Sequence, residues 1–376
     1  MSASYDDIPE SDQIEGMPHP RDAARLIGQD SAEAAFLKAF NSDRLHHGWL
    51  ITGPRGIGKA TLAWRLARFL LATPPDDGGM FSAPAPQSLD LSDENPIARR
   101  VNAMSDPGLF LLRRPWDDKL KRHKQDITVD EVRKLKSFFA LSSASGGRRV
   151  VIIDAADEMN NSAANALLKV LEEPPEGAIL LLISHQPSRL LPTIRSRCRE
   201  LRLAPLGPDD LSQIMTGLDE NPTADETQKL GELAGGSVGE ALRMLNLNGL
   251  GIYQELVNCF RSSPNYDRPR ALKMADGCVG KANAAKFDLT LRLIDLFLAR
   301  MARFGAGVAP KVEAAEGELA LFNRLSSHAN GARRWAELQQ ELSARAGHGQ
   351  AVNLDPAALI LDMVFKINDT AARLAA

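Results

Sequence analysis

An apolar run, Gly48-Trp49-Leu50-Ile51-Thr52, leads directly into Gly53-Pro54-Arg55-Gly56-Ile57-Gly58-Lys59-Ala60, and a segment with leucines at Leu62, Leu66 and Leu70 follows. Strand, glycine loop and helix in that order form the arrangement in which backbone N–H groups close around a phosphate and the lysine reaches its outer oxygens. Gly53, Gly56, Gly58 and Lys59 supply the cradle. The pattern breaks at its last position. A working loop of this kind follows the lysine with a hydroxyl that holds magnesium, and here Ala60 stands there. Thr61 has a hydroxyl, but it lies about 100° further round the helix.

The surrounding pattern repeats the strand and helix alternation. A helix is expected near Ser31 to Phe40, a strand at Leu109 to Leu112, and a helix from the capping box Thr128-Val129-Asp130-Glu131 to about Ala140. Arg149 to Ile153 reads as a strand, Asn161 to Glu172 as a helix stopped by Pro174-Pro175, and Ala178 to Ser184 as a buried strand. Strands that are apolar throughout and alternate with helices predict a parallel sheet covered on both faces. After Leu203 the spacing is helical to the end. Gly207-Pro208-Asp209-Asp210 opens the first of these helices, with proline and carboxylates in its first turn.

With 376 residues the chain is too long for one core. The expected division is an acidic disordered tail over 1–18, an α/β P-loop domain over 19–204, a small helical lid over 205–247 and an all-α domain over 248–376. Within the second, residues 73–96 carry five prolines, five acids and no base, which predicts a flexible surface insertion. The formal net charge of −3 gives no global attraction to nucleic acid. Cys198, Cys259 and Cys278 are too scattered for a disulfide framework or a paired zinc spacing, and buried free thiols are expected. The acidic N-terminus and the want of a long apolar run argue against a secretory signal or a membrane span and point to the cytoplasm.

Asp154 ends the strand Val150 to Ile153, at the place for an acid that helps hold magnesium. Asn165-Ala166-Leu167-Leu168-Lys169-Val170-Leu171-Glu172-Glu173-Pro174-Pro175, with Ser196-Arg197-Cys198 after it, resembles the clamp-loader ATPases of bacterial replication, members of the AAA+ class. The resemblance runs from about Ile27 to Arg243. It implies an AAA+ sheet domain, a helical lid and a helical collar through which subunits of a ring assemble. Active members place a water-activating glutamate after the strand acid, where this chain has Ala155, and a phosphate-sensing arginine after Gly-Ser in the lid, where Gly236-Ser237-Val238 is followed by Gly239. A general base is worth roughly 10² to 10⁴ in rate, and alanine supplies none.

The resemblance therefore implies a non-catalytic member. Arg197 is expected to act as an arginine finger in the ATP site of a neighbouring subunit, a contribution worth roughly 10³ to 10⁵ in turnover. Gly53, Gly56, Gly58, Lys59, Thr61 and Asp154 remain as a vestigial or weak nucleotide site that binds ATP or ADP without hydrolysis, if at all. Implied partners are the gamma or tau and delta subunits of the loader in a hetero-oligomer, with the sliding clamp and primed DNA reached through the assembly. Some members carry a four-cysteine zinc module after the P-loop helix. No cysteine precedes Cys198 here, so no zinc or other required cofactor is expected. The alternatives are a working AAA+ ATPase similar to gamma, with Thr61 and Asp157 filling in, and, in a different class, a P-loop small-molecule kinase. The basic stretch Arg113 to Lys124 reads as a solvated loop, with phosphate contact as its other reading.

Overall fold

The computed structural model describes residues 10, 13, 18–23, 25–42, 45–73, 85–92, 94–140, 147–216, 222–326 and 328–375. They divide into two compact units, residues 1–206 and 207–376. Most of the 1–18 tail and residues 74–84 of the insertion lie outside the described residues.

The first unit is built on five parallel strands in the order β2 (Leu109–Arg113), β5 (Arg149–Asp154), β6 (Ala178–Ser184), β1 (Gly48–Thr52) and β7 (Arg199–Arg202). In chain order its elements begin with helix α1 (Asp30–Phe40), strand β1 (Gly48–Thr52), helix α2 (Lys59–Ala72), helix α3 (Pro96–Asn102) and β2 (Leu109–Arg113). The two-residue strands β3 (Trp116–Asp117) and β4 (Arg122–His123) follow, then α4 (Val129–Ala140), β5 (Arg149–Asp154), α5 (Asn161–Glu172), β6 (Ala178–Ser184), the short α6 (Pro192–Arg195) and β7 (Arg199–Arg202).

The side chains of β1, β5 and β6 alternate between two cores, as the two-residue period of a strand requires. Trp49, Ile51, Val150, Ile152 and Leu181 pack with α1 and α2 on one face. Leu50, Val151, Ile153, Leu180 and Leu182 pack with α4 and α5 on the other. Both faces are covered, so these central strands are buried almost throughout and apolar except at their ends.

Three features differ from the sequence expectations. Strand β7 adds a fifth strand that the apolar pattern does not reveal: Arg199, Glu200 and Arg202 are exposed and Leu201 alone is buried, the composition of a charged edge strand. The end of the 73–96 insertion is docked, not free. Leu89 is buried in the core beside α2, Asp90 pairs with Arg65 at 3.0 Å, and Asn95 caps α3 by accepting from Ile97 N and Ala98 N. The basic stretch folds into the small antiparallel hairpin β3–β4, with Trp116 opposite His123. At the other end Glu10, from the acidic tail, pairs with His19, Arg21 and Arg113.

The described residues of the second unit form helices: α7 (Pro208–Met215), α8 (Ala224–Ala234), α9 (Val238–Asn246), α10 (Gly249–Phe260), α11 (Arg268–Asp276), α12 (Ala284–Gly305), α13 (Glu318–Leu325), α14 (Ala329–Ala351) and α15 (Pro356–Ala375). A buried ion network crosses this unit. Arg300 of α12 donates to both carboxylate oxygens of Glu318 and to Glu232 of α8, and Glu318 also accepts from Tyr253 Oη and Ala314 N. Arg300, Glu318 and Tyr253 are all excluded from solvent. Among the described residues no helix is long and apolar enough to cross a membrane.

Candidate nucleotide site and the arginine turn

The loop between β1 and α2 turns through Gly53, Gly56 and Gly58, whose φ values are 142°, 75° and 98°. Only glycine takes such angles without strain, and a β-carbon on Gly53 would sit 2.5 Å from Ile57 Cδ1 and 2.8 Å from Leu203 O. Gln29 fastens the loop to the end of the sheet. Its buried amide donates to Ala204 O at 2.8 Å and to Ile57 O at 3.4 Å, and accepts from Ala204 N at 3.2 Å. Nothing in the sequence marks this glutamine, which simply precedes a regular helix.

Lys59 opens α2 and is only 3% exposed. Its Nζ donates to Gly53 O at 2.8 Å and to Pro54 O at 2.5 Å, so the cation is held by the loop itself. Burial pushes its pKa down to about 8, against the attraction of Asp154 and Asp157 and with some help from Arg55. Ala60 turns its methyl toward the core, and half-buried Thr61 makes no side-chain hydrogen bond among the described residues.

Asp154 ends β5 at 9% exposure, and Ala155 beside it is buried. The two acids that follow are already engaged. Asp157 accepts from His185 N at 3.0 Å and Gln186 N at 3.2 Å. Glu158 lies 3.3 Å from Arg55 Nη2 and 2.8 Å from Arg114 Nε, while burial raises its pKa against those two cations. At the end of β6, burial and the nearby Lys59 and Arg55 lower the His185 pKa to about 4, against Asp157, so the ring is neutral at pH 7. Ser184 Oγ and His185 Nδ1 are buried with no hydrogen-bond partner among the described residues.

The structure thus brings Gly53, Gly56, Gly58, Lys59 and Asp154 to one end of the sheet, with Thr61 on the helix that leaves it. It does not bring Arg197 to them. A β-carbon on Gly48, the first residue of β1, would lie 3.1 Å from Arg197 O, whereas the glycine loop follows the last residue of that strand. Five strand residues separate the two, roughly 16 Å, well beyond the length of an arginine side chain. Arg197 follows α6 in a turn closed by its N–H on Ile194 O, and its guanidinium, 37% exposed, bonds Thr193 O at 3.1 Å and Glu172 at 2.8 Å. Beside it Cys198 is half-buried against the core, and burial raises its thiol pKa to about 12. In the second unit Gly239 lies buried in the first turn of α9, where Ser237 Oγ accepts from Glu240 N.

A family model described as "DNA polymerase III, delta subunit" matches residues 28–207, the stretch that carries the glycine loop and the arginine turn. That match spans just under half of the chain, so over this stretch the chain is similar to that family. The DNA polymerase III subunit delta' of Pseudomonas aeruginosa is 38% identical over 210 residues, 56% of this chain and 58% of that protein. The chain therefore covers less than two thirds of the length of that relative. The DNA polymerase III subunit gamma of Buchnera aphidicola is 37% identical over 51 residues, 14% of each chain. Among solved structures, a DNA polymerase III gamma subunit-related protein from Thermotoga maritima is 16% identical at a TM-score of 0.39, covering 89% of this chain and 99% of that one. The RuvB Holliday junction branch migration motor of the same organism is 15% identical at a TM-score of 0.39, covering 84% and 90%. These two distant likenesses carry no weight, and the similarity rests on the delta-subunit match and the delta' relative.

Proposed function

We propose that this chain is a delta prime-like subunit of the bacterial replicative clamp loader that does not hydrolyse ATP and completes the ATP site of a neighbouring subunit with Arg197. The observation that carries the proposal is the separation of the two halves of the chemistry. Arg197 lies at the opposite end of β1 from the glycine loop of its own chain, so the phosphate it can reach belongs to another molecule.

The cradle fits a phosphate. It offers positive-φ glycines, Lys59, and Ser184 Oγ and His185 Nδ1 near the end of β6, which have no hydrogen-bond partner among the described residues. A bound nucleotide would be held by Gly53, Gly56, Gly58 and Lys59 and would bring a transferable phosphoryl group. The residues that would then act on it are lacking, since Ala60 offers magnesium no oxygen and Ala155 offers water no base. Asp157 is a poor substitute for that base because two backbone N–H groups already hold its carboxylate. The site is weak or vestigial for ATP and ADP, and no cofactor is required.

In this reading the chain works in DNA replication within the DNA polymerase III holoenzyme. Its partners are gamma or tau and delta subunits, and it reaches the sliding clamp and primed DNA through the assembly. Residues 205–247 serve as the lid and 248–376 as the oligomerisation collar, and the protein acts in the cytoplasm. The test is steady-state ATP hydrolysis by the purified chain with magnesium, beside its Lys59→Ala variant. Both are expected to be silent, and turnover that disappears in the variant would instead establish a working, gamma-like motor.

A further inference from the structure

Glu172 and Arg197 come from two elements whose positions are fixed by packing. Glu172 is the last residue of α5, a helix capped by Asn160 and seated in the core through Ala163, Leu167 and Leu171. Its end is tied down where His47 Nε2 meets Leu171 O at 2.9 Å. The Arg197 turn is seated by buried Ile194 on one side and by the start of β1 on the other. A β-carbon on Gly48 would touch Arg197 O, Leu171 Cδ2 and Cys198 Sγ, all within 3.2 Å, so the helix end, the turn and the strand meet at one point.

At that junction the two side chains meet at the surface. Glu172 Oε1 lies 2.8 Å from Arg197 Nη2, while Nη1 donates to Thr193 O at 3.1 Å. Two of the five guanidinium N–H groups are occupied, and three are left without a partner among the described residues. An exposed ion pair contributes little to fold stability, and these side chains are 37% and 48% exposed. What the pair does supply is direction. A long arginine side chain at a surface samples many rotamers, and two anchors on a rigid helix end and turn select a few of them.

We infer that Glu172 is a positioning residue for Arg197: it holds the guanidinium extended from the turn with its remaining N–H groups available to a phosphate on a neighbouring subunit. This rests on the Arg197 assignment above. Glu172 touches no reacting atom in this scheme, and its effect passes entirely through Arg197. Misplacing a group by about 1 Å at a reaction centre can cost about 10² in rate. Losing one of two anchors should cost less, about tenfold.

The experiment is single-turnover phosphate release, across a range of ATP concentrations, by the loader assembled from full-length chains with its ATPase subunits. It compares this chain as wild type, Arg197→Ala, Glu172→Ala, Glu172→Gln and the Glu172→Ala/Arg197→Ala double variant. Glu172→Ala is expected to slow the maximal rate of the site beside this chain about tenfold with the half-saturating ATP concentration unchanged, and Glu172→Gln, which keeps an acceptor oxygen at the same reach, to restore most of the loss. The double variant is expected to match Arg197→Ala alone. A normal maximal rate for Glu172→Ala beside a slowed Arg197→Ala would overturn the inference and leave the finger intact. A loss confined to the half-saturating concentration, or a double variant slower than Arg197→Ala, would also overturn it. An Arg197→Ala chain that left the rate unchanged would instead remove the finger assignment itself.

Discussion

Lys59 is a buried cation held by two carbonyl oxygens, and its titration should be legible in the stability of the first unit. A fall in pKa from 10.5 to about 8 means that the unfolded chain holds a proton that the folded chain has released between those two pH values. Stability therefore rises with pH through that window, and below pH 8 the full cost of burying the charge is present. At pH 7 the cost is about 3 kcal/mol, and at pH 10 it has fallen to about 1 kcal/mol. A Lys59→Met variant keeps the length of the side chain and removes the charge. It also leaves two carbonyls unsatisfied, but that loss does not change with pH. The stability of the variant minus that of the wild type should thus fall by about 2 kcal/mol between pH 7 and pH 10. Urea unfolding followed by tryptophan fluorescence measures it, because Trp49, Trp64 and Trp116 lie in the first unit and only Trp335 in the second. A difference that is flat across the two pH values would refute the claim that the cation is desolvated in the folded loop.

Two further outcomes follow from the packing. Arg300→Met strands the charge of Glu318 in a solvent-free site and should cost about 3–5 kcal/mol, which for a unit of this size lowers its calorimetric Tm by roughly 10 °C. Recovery is expected when Glu318 is replaced by leucine in the same chain, and an unchanged Tm for the single variant would contradict the network. Gly53→Ala forces a β-carbon against Ile57 and the Leu203 carbonyl at a φ of 142°, and should destabilise the first unit by about 1–3 kcal/mol in the same urea assay. Wild-type stability for that variant would mean that the loop can relax away from the observed turn.

The elements legible in the sequence were those whose burial is complete on both sides. β1, Asn161–Glu172 and Ala178–Ser184 match their expected bounds residue for residue, because a buried parallel strand reads as a near-continuous apolar run and a proline pair ends a helix. β7 was hidden because an edge strand beside β1 needs only one inward residue, Leu201. The docked end of the insertion was hidden for a similar reason, since Leu89 is a single apolar anchor within a polar, proline-rich stretch that has no period to read. At the site, the glycine loop and the residues lost from it could be read directly, because each is a matter of residue type at a fixed offset. Gln29 and Glu172 could not. Their work depends on a hydrogen bond across 175 residues in one case and on an ion pair between a helix end and a distant turn in the other.

The central claim is that a chain unable to turn over ATP itself is needed for turnover next door, and one measurement bears on it most directly. Loader assembled with the Arg197→Ala chain is compared with loader assembled with wild type, in single-turnover hydrolysis on primed DNA and clamp, with equal assembly verified by mass. The account predicts that one site, the one beside this chain, slows by 10³ or more while the remaining sites keep their rate. Identical phosphate-release traces for the two assemblies would contradict it.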